Sequence, residues 1–115
     1  MRDAHVFLRH ILDAIERIDE YVPSNKQAFL NDSQCQDAVM RNLAVIGEAV
    51  KKVPTSIRAQ HPEVPWKEVA GMRDVLIHDY VSVDTTLVWD TVQRDLPILK
   101  SAVTALLHRA QSEAA

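Results

Sequence analysis

The chain has 115 residues, one domain's length, and its 47% hydrophobic and 25% charged residues are ordinary for a globular protein. A net charge of -3 excludes a protein that coats nucleic acid by bulk charge, while leaving room for a local basic cleft. With 2 glycines and 5 prolines the chain has few breakers, which favours long helices over a many-turned β fold, and its one cysteine, Cys35, excludes an intrachain disulfide and suits a reducing cytosol.

Met1-Arg2-Asp3-Ala4-His5 carries charge with no apolar run behind it, so no secretory leader is expected. No stretch approaches the ~20 apolar residues of a membrane span. A cytoplasmic protein without membrane contact is expected.

Phe7, Leu8, Ile11, Leu12, Ile15, Ile18 and Val22 recur at three- and four-residue steps, which predicts an amphipathic helix from about Asp3 to Tyr21. Asp13, Glu16, Arg17, Asp19 and Glu20 form its solvated face, with Asp13 and Arg17 one turn apart and able to pair. Pro23-Ser24-Asn25 breaks the pattern, and Asn31-Asp32-Ser33 supplies caps for a second helix. The stripe of that helix is Val39, Leu43, Ile46, Val50 and Val53, and it stops before Pro54. Gly47 lies inside it, where glycine costs helix stability, so its use there points to close approach of another helix.

Thr55 is a candidate cap for a short turn through Gln60, and His61 to Pro65 reads as a connector. Pro65 suits the first turn of a third helix carrying Trp66, Val69, Met72, Arg73, Leu76, Ile77 and Tyr80. Asp84 caps a long fourth helix with Val88, Val92, Leu96, Leu99, Val103 and Leu106 as its stripe. Pro97 predicts a kink in it, and the tail from Gln111 to Ala115 is expected to fray. With no repeat or linker, residues 1–115 read as a single all-α domain, an up-down bundle of four to five helices.

The unusual chemistry sits at the end of the third helix. Asp74 and His78 are one turn apart and share a face, while Arg73, Ile77 and Tyr80 share the neighbouring one. Arg73 and His78 lie roughly 7.5 Å apart along the axis, within reach of a long side chain. Cutting RNA without a metal means moving protons at the 2′-hydroxyl and the leaving oxygen, which an imidazole does well at neutral pH. An arginine stabilises the charge that gathers on phosphate. Asp74 can orient His78 or favour its protonated form, and Tyr80 can bind phosphate or stack on a base. On spacing alone, packing roles account for the same residues: Arg73 bridging helices, His78 ending a helix, Tyr80 filling a core.

The ordered segments Gln36–Leu43, Ile46-Gly47-Glu48-Ala49, Val64–Met72, Arg73–Tyr80 and Val88–Val92 are more specific than the motif alone. Together they resemble the HEPN superfamily, and within it the HepT-like ribonuclease toxins, over nearly the whole chain. The resemblance implies a HEPN-type bundle and a metal-independent endoribonuclease, without cofactor, that cleaves tRNA or mRNA. It implies Arg73 and His78 as catalytic residues, with Asp74 and Tyr80 in support. Asp74 stands where close relatives often carry asparagine, which places a carboxylate in a phosphate site. The resemblance further implies a homodimer with two motifs facing one cleft. It also implies a toxin–antitoxin pair in which an MntA-like nucleotidyltransferase antitoxin transfers AMP to Tyr80.

Other candidates carry less. His5 and His10 are five apart, which does not set two ligands on one helical face, and no metal site is expected. Trp66 and Trp89 read as packing or dimer anchors, and His61 and His108 as loop and surface residues. Glu48 is placed to contact Arg41 or Arg73. Lys51, Lys52, Arg58 and Lys67 either line an RNA path or are scattered surface charge. The rival reading is a non-catalytic helical module that partners a nucleotidyltransferase.

Overall fold

The computed structural model describes residues 2–78 and 82–114. Among these residues the chain forms six α-helices and no strand: α1 (Arg2–Tyr21), α2 (Lys26–Leu30), α3 (Ser33–Lys52), α4 (Thr55–Arg58), α5 (Trp66–His78) and α6 (Thr85–Ala114). The fold is the all-α bundle expected from the periodicity. Its four long helices are α1, α3, α5 and α6, and no described helix is long and apolar enough to cross a membrane.

The predicted stripes are the core. Leu8, Ile11, Ile15 and Ile18 of α1, Val39, Ile46 and Val50 of α3, and Val88, Leu99 and Val103 of α6 are almost completely buried. Helix α1 packs on α3 and α6, and α5 packs on the other side of α3, so α3 is the central element beneath the motif helix. The 30 residues of α6 match the 46 Å long axis of the molecule, since a helix rises ~1.5 Å per residue. Pro97 lies inside α6, and the helix continues past it to Ala114, so the expected frayed tail is helical almost to its end.

The caps explain several boundaries. Asp32 Oδ1 accepts the Cys35 N–H at 3.0 Å and starts α3, while Asp84 Oδ1 accepts the Thr86 N–H at 2.9 Å and starts α6. Three local readings are corrected. The break after Pro23 contains α2, because Asn25 Oδ1 caps it through the Ala28 N–H at 2.7 Å and Phe29 buries its ring beside Trp89, centroids 5.5 Å apart. Thr55 does not cap α4. Pro54 occupies the cap position, and the Thr55 hydroxyl accepts from Arg58 Nη2 at 3.2 Å. Asp13 takes Arg9 (3.3 Å) rather than Arg17, since it lies between the two arginines and its short carboxylate meets the one a turn before it.

Gly47 fixes how α5 sits on α3. A β-carbon added there would lie 2.7 Å from Arg73 Cβ and 3.1 Å from the Val69 carbonyl oxygen. The missing side chain therefore lets the two backbones approach at the residue that carries the motif guanidinium. At the start of α5, Trp66 is buried, and its indole Nε1 donates to the His61 carbonyl at 2.9 Å.

Candidate functional site

Arg73 leaves α5 one turn before the helix ends and is half-buried against α3. Its Nε pairs with a carboxylate oxygen of Glu48, Oε2, at 2.6 Å, the shorter of its two ion pairs. Its Nη1 lies 3.4 Å from Asp74 Oδ1, a weaker contact. The short pair uses the inner edge of the guanidinium and leaves Nη2 with no protein acceptor among the described residues. Lys52 Nζ stands 3.8 Å from the other oxygen of Glu48, one helical turn on. A relay of charges, Lys52 to Glu48 to Arg73, thus crosses from α3 to α5.

A second pair runs beside it. Lys51 Nζ donates to Asp74 Oδ1 at 3.0 Å. The lysine's hydrogen bond holds the Asp74 carboxyl below its ordinary value, with the charges of Lys51, Arg73 and His78 adding to it and partial desolvation opposing it. Asp74 is therefore a carboxylate whose charge is answered by Lys51. His78 ends α5 with an exposed ring. Among the described residues Asp74 makes no hydrogen bond to His78, and its partners are Lys51 and Arg73.

The structure thus brings Arg73, Asp74 and His78 to one helix end and adds Glu48, Lys51 and Lys52 from α3. Tyr80 lies outside the described residues. Of the two partners open to Glu48 in the sequence, Arg73 is the one it takes. In the sequence Lys51 and Lys52 were open to two readings, an RNA path or scattered surface charge, and neither pointed to Asp74 or Glu48. Their signal was position, because they follow Gly47 by one turn on the helix that Gly47 brings against α5.

Two grooves flank the outer stripe of α3. One, about 430 Å³, lies toward α1 and is lined by Phe7, His10, Arg41, Val45, Glu48 and Lys52, among others. The other, about 490 Å³, lies toward α5 and is lined by Asp37, Met40, Arg41, Ala44, Leu76 and Ile77. Ile77, next to His78, is 52% exposed and forms an apolar lip.

The family described as Ribonuclease HepT-like matches residues 11–106. A "Putative RNase" from Caldanaerobacter subterraneus subsp. tengcongensis is 39% identical over 110 residues, covering 95% of this chain and 98% of its own length. The "Probable ribonuclease HepT" of Thermococcus cleftensis is 46% identical over 95 residues, covering 82% of this chain and 86% of its own. A Methanocaldococcus jannaschii protein named "Gamma-glutamylcyclotransferase and putative RNase" is 40% identical over 107 residues. This chain spans 48% of that relative's length. No solved structure matches the chain.

Proposed function

The chain belongs to the HepT-like ribonuclease family, and from that premise we propose that it is a metal-independent endoribonuclease acting through Arg73 and His78. The observation that carries the reading is the Arg73–Glu48 pair at 2.6 Å, which fixes one edge of the guanidinium and leaves its Nη2 without an acceptor among the described residues, on the same helix end as His78. A guanidinium held only as a strut between helices would spend its donors on protein.

The reaction needs no metal, and solvent water carries whichever of its two protons His78 does not. The 2′-oxygen of one ribose attacks the adjoining phosphorus and gives up its proton, and the bond from phosphorus to the 5′-oxygen breaks. The 5′-oxygen takes a proton, leaving a 2′,3′-cyclic phosphate and a 5′-hydroxyl. His78 moves one of these protons, and Arg73 stabilises the charge on the non-bridging oxygens. Lys51 keeps Asp74 from cancelling that charge. Tyr80 contacts the substrate.

The same reading makes the protein the toxin of a toxin–antitoxin pair, working as a homodimer with two motifs in one cleft. Its antitoxin is a nucleotidyltransferase. The Tyr80 phenol oxygen displaces pyrophosphate from the α-phosphorus of ATP and becomes AMP-modified. The added phosphate then sits beside Arg73 and His78, blocks the cleft and repels RNA.

Purified protein incubated with tRNA and mRNA in the presence of a chelator tests the chemistry. Wild type is expected to yield fragments ending in cyclic phosphate, and His78→Ala to yield none. Equal degradation by both proteins sinks the assignment. Expression without a partner is expected to arrest growth, whereas harmless expression favours the non-catalytic module. Intact mass after co-expression with a cognate nucleotidyltransferase is expected to show added AMP, lost in Tyr80→Phe.

A further inference from the structure

The outer stripe of α3 runs Asp37, Arg41, Val45, Glu48 and Lys52 at helical spacing. Glu48 is spent on Arg73 and Lys52, and Asp37 is engaged elsewhere. Arg41 differs. Its side chain is exposed and makes no hydrogen bond or ion pair among the described residues. It is also the cation that lines both grooves, with Glu48 further along one and Ile77 across the other.

Position gives this guanidinium its meaning. Gly47 lies against Val69 and Arg73, whereas Met40, Arg41 and Ala44 share a groove with Leu76 and Ile77. Helices α3 and α5 are therefore antiparallel here. Arg41 stands at the level of the α5 terminus that carries His78, roughly 10 Å along α3 from Glu48 and the Arg73 guanidinium. Two arginines thus bracket the helix end, one held by a carboxylate and one open. Between them lie Met40, Leu76 and Ile77, apolar side chains that suit the face of a base.

We propose that Arg41 is a flanking-phosphate subsite: it binds the backbone of single-stranded RNA beside the scissile phosphate, with an adjoining base laid in the groove against Met40, Leu76 and Ile77. Arg41 acts on substrate binding and not on the bond that breaks. This rests on the ribonuclease reading, but its first test does not need cleavage.

The probe is a short 2′-O-methyl oligoribonucleotide, which lacks the attacking hydroxyl, titrated by fluorescence anisotropy over a range of salt. Arg41→Gln is expected to weaken binding about tenfold at low salt, as loss of a charge-assisted hydrogen bond does. It is also expected to flatten the plot of log affinity against log salt by about 0.7, the contribution of one phosphate on a single strand. In turnover, the loss of kcat/KM is expected to be larger on an oligonucleotide than on a dinucleoside monophosphate, which has no flanking phosphate. Equal losses on the two substrates, or an unchanged salt slope, overturn the proposal. So does a shift of Arg41→Gln to a smaller species in sedimentation, which would make Arg41 a contact between copies. If the salt slope changes but no RNA is cut by wild type, the subsite stands and the nuclease reading falls.

Discussion

Arg73 is a single side chain with two employers. Glu48 pairs with its Nε and Asp74 Oδ1 lies 3.4 Å from its Nη1, which leaves Nη2 without an acceptor among the described residues. Replacing Glu48 by Gln keeps an acceptor but removes the charge that holds the guanidinium. The misplacement is expected to lower kcat between about tenfold and a hundredfold, with little change in KM. In an Arg73→Ala background the same change is expected to cost nothing further, because the group it positions is gone. Additive losses would give Glu48 an independent role. Asp74 gives a pH signature at the same scale. Its folded carboxyl is held below the ordinary value, so its contribution to stability is complete above that value and fades as pH falls through the lowered one. Asp74→Asn is expected to flatten the acid limb of a melting profile and leave the neutral region in place. As a half-exposed pair its effect on stability is small, and the slope of the limb is the quantity to read.

At the scale of elements, the α3–α5 seam does the positioning. Gly47→Ala adds helix propensity of up to ~1 kcal/mol but drives a methyl into Arg73 Cβ, an atom that moves only with its backbone. Overpacking of that kind costs ~1–3 kcal/mol, so the variant is expected to melt lower and to lose activity. Gly71→Ala is the control, since a β-carbon there meets nothing within 4 Å. It is expected to melt higher and to cut RNA as before, and equal behaviour of the two variants would show that the seam is not tight. Lys51→Met leaves Asp74 with Arg73, 3.4 Å away, as its partner among the described residues and is expected to weaken RNA binding, with Asp74→Asn restoring it in the double variant. This seam also marks where the sequence stopped being legible. The stripes of α1, α3 and α6 were readable because burial repeats with the helical period, and Gly47 announced a close approach by its cost. Helix α2 was hidden because its 5 residues are too few to show a period. Lys51–Asp74 was hidden because a pair 23 residues apart depends on which faces two helices present to each other.

For the whole molecule, charge is the constraint. A chain of net -3 binds RNA only where cations gather, and the described face collects Arg41, Lys51, Lys52 and Arg73 along one side of α3 and α5. A two-fold dimer joining two such faces would concentrate that field, and sedimentation is expected to show twice the monomer mass. A monomer at working concentration would leave each motif to act alone. The core beneath is continuous, so Leu99→Ala, at a fully buried position of α6, is expected to lower stability by ~2–5 kcal/mol and to reduce activity only through unfolding.

The two tryptophans stand in separate parts of this frame. Trp66 opens the motif helix with its N–H on the His61 carbonyl, while Trp89 rests on α6 against Phe29. They are a built-in pair of optical gauges. In Trp89→Phe the remaining emission reports on the root of α5 alone, and in Trp66→Phe it reports on the junction of α2 and α6. Stopped-flow mixing with uncleavable RNA then distinguishes a rigid site from a rocking one without any label. A change confined to Trp66 means that RNA capture tilts the motif helix, and silence from both means that the strand meets a surface already set.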